Sequence, residues 1–245
     1  MDRPPLIAVV LAGGQGTRIR HLLPGLPKPM APALGRPFLE WVVRFLAGQG
    51  IRRIVFSTGY KAETIAAHFT PSAFPSLRLG SVPEEQPLGT AGGFLQAATS
   101  IAEPPDAWLV LNGDSLALTS LTPLLATLDD PACDGALLGL PMADAARYGT
   151  LTHDSAHLLL GFAEKRPGAG LINAGVYLFR HRTLARFPSR LPLSFETDVF
   201  PTLLRQEILL RAIPAEAPFL DIGTPETLSQ AEAFLAAHPA YFPRL

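Results

Sequence analysis

Three features of this 245-residue chain predict an α/β fold with a mostly parallel, mixed central sheet. Strand-like apolar runs alternate with helical stripes up to residue 112, the pattern of a sheet covered on both faces. Ala107–Asn112 (AWLVLN) is apolar without alternation, as a strand inside a parallel sheet must be. After Pro131 strands follow one another over short links, which predicts a mixed or antiparallel section.

The elements follow in order. Residues 6–10 (LIAVV) form the first buried strand. Residues 37–49 carry apolar side chains at 38, 39, 42, 43, 45 and 46, a helical stripe with Pro37 at its start and Gly50 after its end. Residues 51–58 are the second parallel strand, 61–69 a short helix, and 77–82 the third strand. Residues 89–101 form a helix with a glycine-rich start. In the second half, 135–140, 149–152, 158–163 and 171–179 are strands, and 198–205 is a short helix. Residues 225–237 close the chain as a helix, with Thr224 as N-cap and Glu226 in the first turn. No repeat or linker divides the chain, so 1–245 is read as one domain with two halves, about 1–130 and about 131–245.

Composition removes several function classes. A net charge of −1 gives no electrostatic reason to bind nucleic acid or a membrane surface. No apolar run approaches the ~20 residues of a membrane span, and the run after Met1-Asp2-Arg3 is too short for a signal peptide. The single cysteine, Cys133, cannot form an internal disulfide and fits a reducing compartment, so a cytoplasmic location is expected. The 25 prolines are scattered and punctuate loops. Histidines 21, 68, 153, 157, 181 and 238 have no metal-ligand spacing. Only Lys28, Lys61 and Lys165 supply ammonium groups, against seventeen arginines.

The stretch from Leu11 to Pro29 carries the chemistry. Gly13, Gly14 and Gly16 follow the first strand, and Thr17, Arg18 and Lys28 come after them. Such a turn can present consecutive N–H groups to phosphate oxygens, with Arg18 and Lys28 as a cationic clamp. No Gly-Lys-Ser or Gly-Lys-Thr occurs, which excludes a P-loop, and Ile19 stands where a dinucleotide fingerprint needs its third glycine. The stretch therefore reads as a nucleoside-triphosphate loop.

The sequence Gly-Gly-Gln-Gly-Thr-Arg followed by Pro-Lys-Pro resembles the signature of the sugar-1-phosphate nucleotidyltransferases. The form from Leu23 to Met30 is most similar to the D-glycero-α-D-manno-heptose 1-phosphate guanylyltransferase branch, and the likeness runs from Val9 to about Ala236. The resemblance implies a Rossmann-like three-layer α/β/α nucleotidyltransferase fold. Its reaction joins a nucleoside triphosphate, here GTP, to a sugar 1-phosphate and releases pyrophosphate. Uridylyl transfer to N-acetylmuramate 1-phosphate and guanylyl transfer to mannose 1-phosphate are the nearest alternatives, and a non-catalytic nucleotide-sugar-binding subunit is a third. The chain lacks the left-handed β-helix extension of bifunctional relatives, so an added acyltransferase activity is not expected.

The resemblance also implies the roles of residues. Arg18 acts on the β- and γ-phosphates and Lys28 on the reacting phosphates. Leu11, Ala12, Gly13, Gly14, Gly16 and Thr17 line the nucleotide, with Gln86, Gly89 and Thr90 at the base and Gly113 beside it. Gln86 has an amide suited to a base edge, although the stretch also reads as a glycine-rich helix start. Asp114 and Asp221 hold Mg²⁺, which takes one or two protein carboxylates and completes its shell with phosphates and water. Asp114 follows a strand end, where open α/β sheets bind ligands. If Asp221 ends a strand at the same edge, the two carboxylates face a common point within roughly 6 Å. Gly149, Glu164, Lys165, Asn173 and Gly175 form the sugar-phosphate side. The segment from Ser194 to Asp198 matches the heptose branch, but Ser194 or Thr197 also reads as a helix N-cap, and no catalytic role follows. The partners are the two substrates, with no nucleic acid and no membrane, in a monomer or small homo-oligomer.

Overall fold

The computed structural model describes residues 6–163 and 167–245. β1 (Leu6–Ala12) is followed by a ribbon of β2 (Pro32–Ala33) and β3 (Arg36–Pro37). Next come α1 (Phe38–Gly48), β4 (Arg53–Thr58), α2 (Ala62–His68), β5 (Arg78–Pro83), α3 (Thr90–Thr99) and β6 (Ala107–Asn112), all close to their predicted bounds. β7 (Ser115–Ala117) and α4 (Thr122–Ala126) are too short to carry a periodic signal. The strands predicted after Pro131 are β8 (Gly135–Met142), β9 (Thr150–His153), β10 (Leu159–Ala163) and β11 (Gly170–Arg180). α5 (Phe200–Arg205), β12 (Leu210–Pro214), β13 (Phe219–Asp221), α6 (Pro225–Ser229) and α7 (Ala231–Ala237) complete the fold.

Three expectations change. The helix expected over 198–205 starts earlier, in a wide turn at Phe195–Val199 that Ser194 caps, and continues as α5. β12 had no sequence assignment. The closing helix is two helices, because the Gln230 amide turns back to the Thr227 carbonyl (3.3 Å) in a tighter turn. Thr224 does cap α6, its hydroxyl accepting from the Thr227 amide at 3.3 Å.

Among the described residues, nine strands form one mixed sheet. β5, β4, β1 and β6 lie side by side and parallel. β11 is antiparallel to β6, and β8 pairs with β11 on its other edge. β12 adds parallel to β8, while the β9–β10 hairpin branches from the first part of β11. The register of β11 shifts between Asn173 and Tyr177, which bends the strand. Successive residues of β1 and β6 supply two apolar layers. Ala8, Val10, Leu109 and Leu111 join one, with Val42, Phe45 and Leu46 of α1. Ile7, Val9, Trp108 and Val110 join the other, with Phe94 of α3 and Phe200 of α5. The sheet is therefore covered on both faces, which explains the unbroken apolar run of β6.

The chain order places the site. β1 leads to β4 and β5 on one side, then returns to β6 on the other. The carboxyl ends of β1 and β6 thus flank the crevice where the strand order reverses, with Leu11 opposite Asn112.

Candidate active site

The glycine loop leaves β1 at this crevice. Gly16 has φ +57°, and a Cβ there would lie 2.8 Å from Cβ of Lys28. Glycine is required because the turn is left-handed and because the aliphatic stem of the lysine packs directly against it. Around Gly14 the space is open: no atom lies within 4 Å of the Cβ position. The two positions predict different outcomes. Gly16→Ala should lower Tm, since a left-handed alanine costs about 1–2 kcal/mol, and should displace Lys28. Gly14→Ala should leave Tm unchanged and raise KM for the nucleotide, because the methyl would enter the open space expected to take the triphosphate. Thermal melts and steady-state kinetics on both variants separate these effects.

Lys28 is buried, 9 % exposed, and its ammonium lies between two carboxylates. Nζ donates to Oδ2 of Asp114 at 2.6 Å and stands 3.7 Å from Oδ1 of Asp221. A two-stranded ribbon makes this possible. β13 pairs with β7, bringing Asp221 opposite Ser115, and the Ile222 amide donates to the Asp114 carbonyl at 3.0 Å. The two aspartates, far apart in sequence, therefore share one common point. Asp221 also accepts from Nη2 of Arg147 at 3.1 Å and from the Tyr148 hydroxyl at 3.5 Å. Burial first, and then the Asp221 charge, push the Tyr148 phenol above its usual range, so it remains a donor. Arg18 is exposed, and its guanidinium converges with Asp221 on Gly223.

Three adjoining cavities meet at Asp114. One of about 420 Å³ is lined by Arg18, Lys28, Asp221, Gly149 and Asn173. One of about 300 Å³ is lined by Leu11, Gly13, Gly14, Gly89 and Thr90. A smaller one of about 200 Å³ lies along Ala12, Gly16, Thr17, Arg18 and Lys28. Asp114 lines all three.

Other predicted residues lie elsewhere. Gln86 is exposed and outside the residues that line the 300 Å³ cavity at Gly89 and Thr90, the expected base-side cavity. Gly113 is buried and lines none of the three cavities, its amide donating to the Leu11 carbonyl at 2.9 Å. Gly175 works through Asn173, donating its amide to Oδ1 at 3.0 Å. Glu164 and Lys165 lie outside the described residues.

Two acidic cavity residues had no role assigned from the sequence. Glu84 lines the base-side cavity, where its carboxylate accepts from the Ser57 hydroxyl at 3.1 Å and the Leu88 amide at 3.0 Å. Its place just past the end of β5 was the available signal. Glu196 lines the large cavity.

The donor set at the junction fits a hard divalent cation. Two carboxylates converge on the Lys28 ammonium, and among the described residues no group of three acidic, histidine or cysteine side chains assembles a metal site. Two neighbouring carboxylates suit Mg²⁺, which takes one or two of them and fills its octahedron with phosphate and water.

Comparison with known proteins agrees with this geometry. The profile of the family described as Nucleotidyl transferase matches residues 7–238. The chain belongs to the nucleotidyl transferase family. It is 34 % identical over 227 residues to the D-glycero-α-D-manno-heptose 1-phosphate guanylyltransferase of Aneurinibacillus thermoaerophilus, covering 92 % of this chain and 96 % of that one. It is also 34 % identical over 241 residues to the mannose-1-phosphate guanylyltransferase of Mycobacterium tuberculosis, covering 97 % of this chain and 67 % of the relative. Among solved structures, HddC from Yersinia pseudotuberculosis complexed with GMP-PN superposes with a TM-score of 0.78 at 31 % identity, over 93 % of this chain and 98 % of that one. The α/β nucleotidyltransferase fold is thus shared with that solved structure.

Proposed function

We propose that this nucleotidyltransferase moves a guanylyl group from GTP to a sugar 1-phosphate, D-glycero-α-D-manno-heptose 1-phosphate first among them, and releases pyrophosphate. The observation that carries the reading is the meeting of three cavities at Asp114, beside Lys28. The base-side cavity takes the nucleoside, the glycine-lined one the triphosphate, and the largest the sugar phosphate. An oxygen of the sugar phosphate attacks the α-phosphorus, the bond to the β-phosphate oxygen breaks, and pyrophosphate leaves in line. The nucleophile needs no general base, because a phosphate monoester with a second pKa near 6 is mostly dianionic at neutral pH.

The obstacle is bringing two polyanions together, and cations and fixed donors answer it. Lys28 sits where the cavities join and neutralises charge on the reacting phosphates. Arg18 reaches the leaving β- and γ-phosphates from the loop. Asp114 and Asp221 would hold Mg²⁺, which when bound supplies further charge neutralisation on the phosphates. Gly149 and Asn173 bound the sugar side.

Glu84 supports guanine as the base. A carboxylate is an acceptor with about four lone-pair positions, and Ser57 and Leu88 use two of them. Guanine offers adjacent N1–H and N2–H donors on one edge. Uracil has a single donor, N3–H, flanked by two carbonyls that would face the same carboxylate. The mannose 1-phosphate reading shares this base and rests on the Mycobacterium tuberculosis relative. Cytoplasmic placement is supported by the buried free thiol of Cys133, which suits a reducing compartment.

A pyrophosphate-release screen of four nucleoside triphosphates against a panel of sugar 1-phosphates tests the proposal. GTP should give the highest kcat/KM with every accepted sugar. Clearly higher values with UTP or CTP would overturn the guanylyl reading while leaving the family untouched.

A further inference from the structure

We propose that Glu196 determines sugar specificity, its carboxylate accepting hydrogen bonds from hydroxyls of the sugar ring. The inference rests on reading the 420 Å³ cavity as the sugar 1-phosphate site. Glu196 is half-buried and lines that cavity together with Gly149, Asn173 and Asp114.

Its orientation is fixed by a directional chain of hydrogen bonds. The Asn173 carbonyl oxygen accepts from the Gly175 amide at 3.0 Å, which sets the side-chain amide. Asn173 Nδ2 therefore donates to the Tyr177 hydroxyl at 2.8 Å. That hydroxyl must send its own proton onward, and Oε1 of Glu196 receives it at 3.4 Å. Oε2 accepts from the Ser194 hydroxyl at 2.8 Å and from the Thr90 hydroxyl at 3.4 Å. Tyr177 is fully buried, and burial together with the Glu196 charge keeps its phenol protonated. Three donors leave the carboxylate with spare acceptor capacity beside the cavity. Sugar hydroxyls arrive as donors, and charge-assisted hydrogen bonds are the stronger kind.

The backbone that carries Glu196 is held on both sides. The Leu193 carbonyl accepts from the amides of Ala91 (2.9 Å) and Gly92 (3.1 Å), and its own amide donates to the Leu88 carbonyl at 2.7 Å. Gly89, with φ +79°, lets this segment approach so closely that a Cβ there would lie 2.4 Å from the Leu193 carbonyl oxygen. Phe195 stacks on Phe179 with centroids 5.6 Å apart and packs against Phe200 at 5.8 Å. A carboxylate presented on so rigid a segment is pre-organised, which favours discrimination among sugars. The carboxylate is also tied to Thr90, which lines the base-side cavity.

The test compares the wild-type chain with Glu196→Gln and Glu196→Asp, using GTP and the sugar 1-phosphates the wild type accepts. Glu196→Gln should raise KM for the sugar phosphate about tenfold or more, the effect of losing a hydrogen bond to a charged group. KM for GTP should stay within about twofold. Deoxy sugar 1-phosphates give the readout that a merely structural role would not move. One of them, lacking the hydroxyl that Glu196 reads, should be penalised in the wild type and show no added penalty in Glu196→Gln. Glu196→Asp, which keeps the charge, should fall between the two and serves if the glutamine variant does not fold. An unchanged sugar KM, or the same set of deoxy penalties in all three proteins, would overturn the assignment while leaving the proposed function standing. A wild type that accepts no sugar 1-phosphate would overturn both.

Discussion

Replacing Lys28 by alanine is expected to lower kcat/KM by two or more orders of magnitude, about 3 kcal/mol, the size of a lost charged contact to the transition state. The structure sharpens this expectation. Lys28 is buried and held 2.6 Å from Asp114 and 3.7 Å from Asp221. Removing the ammonium takes a cation from the phosphates and also leaves two carboxylates facing each other, so Tm should fall as well. Arg18 is exposed, so Arg18→Ala should cost comparable activity with little loss of stability. Measuring kcat/KM by pyrophosphate release alongside thermal melts separates the two. Unchanged turnover in a folded Lys28→Ala protein would sink the clamp.

The fold was legible where the pattern was long or strongly punctuated. β6 has the bounds its apolar run predicts, because a strand buried on both faces admits no polar residue until the chain reaches the crevice at Asn112. The glycine loop was legible because three glycines followed by Thr17 and Arg18 have few other uses. The convergence of Asp114 and Asp221 was only conditional in the sequence. It depends on a three-residue pairing of β7 with β13, too short to show a period. The base side was harder still. Glu84, Glu85 and Gln86 all follow β5, and the turn of the backbone, not the type of side chain, decides which faces the cavity. Glu196 was hidden by its neighbour, since Ser194 does cap the following turn. A cap and a ligand-facing carboxylate occupy one short segment, and the capping signal is the one a sequence displays.

The metal pair gives the second large effect. Asp114→Asn and Asp221→Asn should each raise the Mg²⁺ concentration needed for half-maximal rate and leave the fold intact, because an amide keeps the size and loses the charge. The double variant should be little worse than the worse single one, since both changes remove one ion and their effects overlap instead of adding. A magnesium titration of the three variants and the wild type reads this directly. Each variant also frees Lys28 from one partner, so a metal requirement that stays at the wild-type value would assign the carboxylates to positioning the lysine alone. Fully additive losses would place the two aspartates in separate tasks.

Phosphorus NMR of the purified chain with GTP, Mg²⁺ and a sugar 1-phosphate shows whether a nucleotide and a sugar phosphate react with each other on this protein. GTP and sugar phosphate signals should disappear together, while nucleoside diphosphate sugar and pyrophosphate appear in equal amounts, and omitting the sugar phosphate should stop the reaction. Release of pyrophosphate or phosphate from GTP at the same rate without the sugar phosphate, with no nucleotide sugar formed, would contradict transfer between the two substrates.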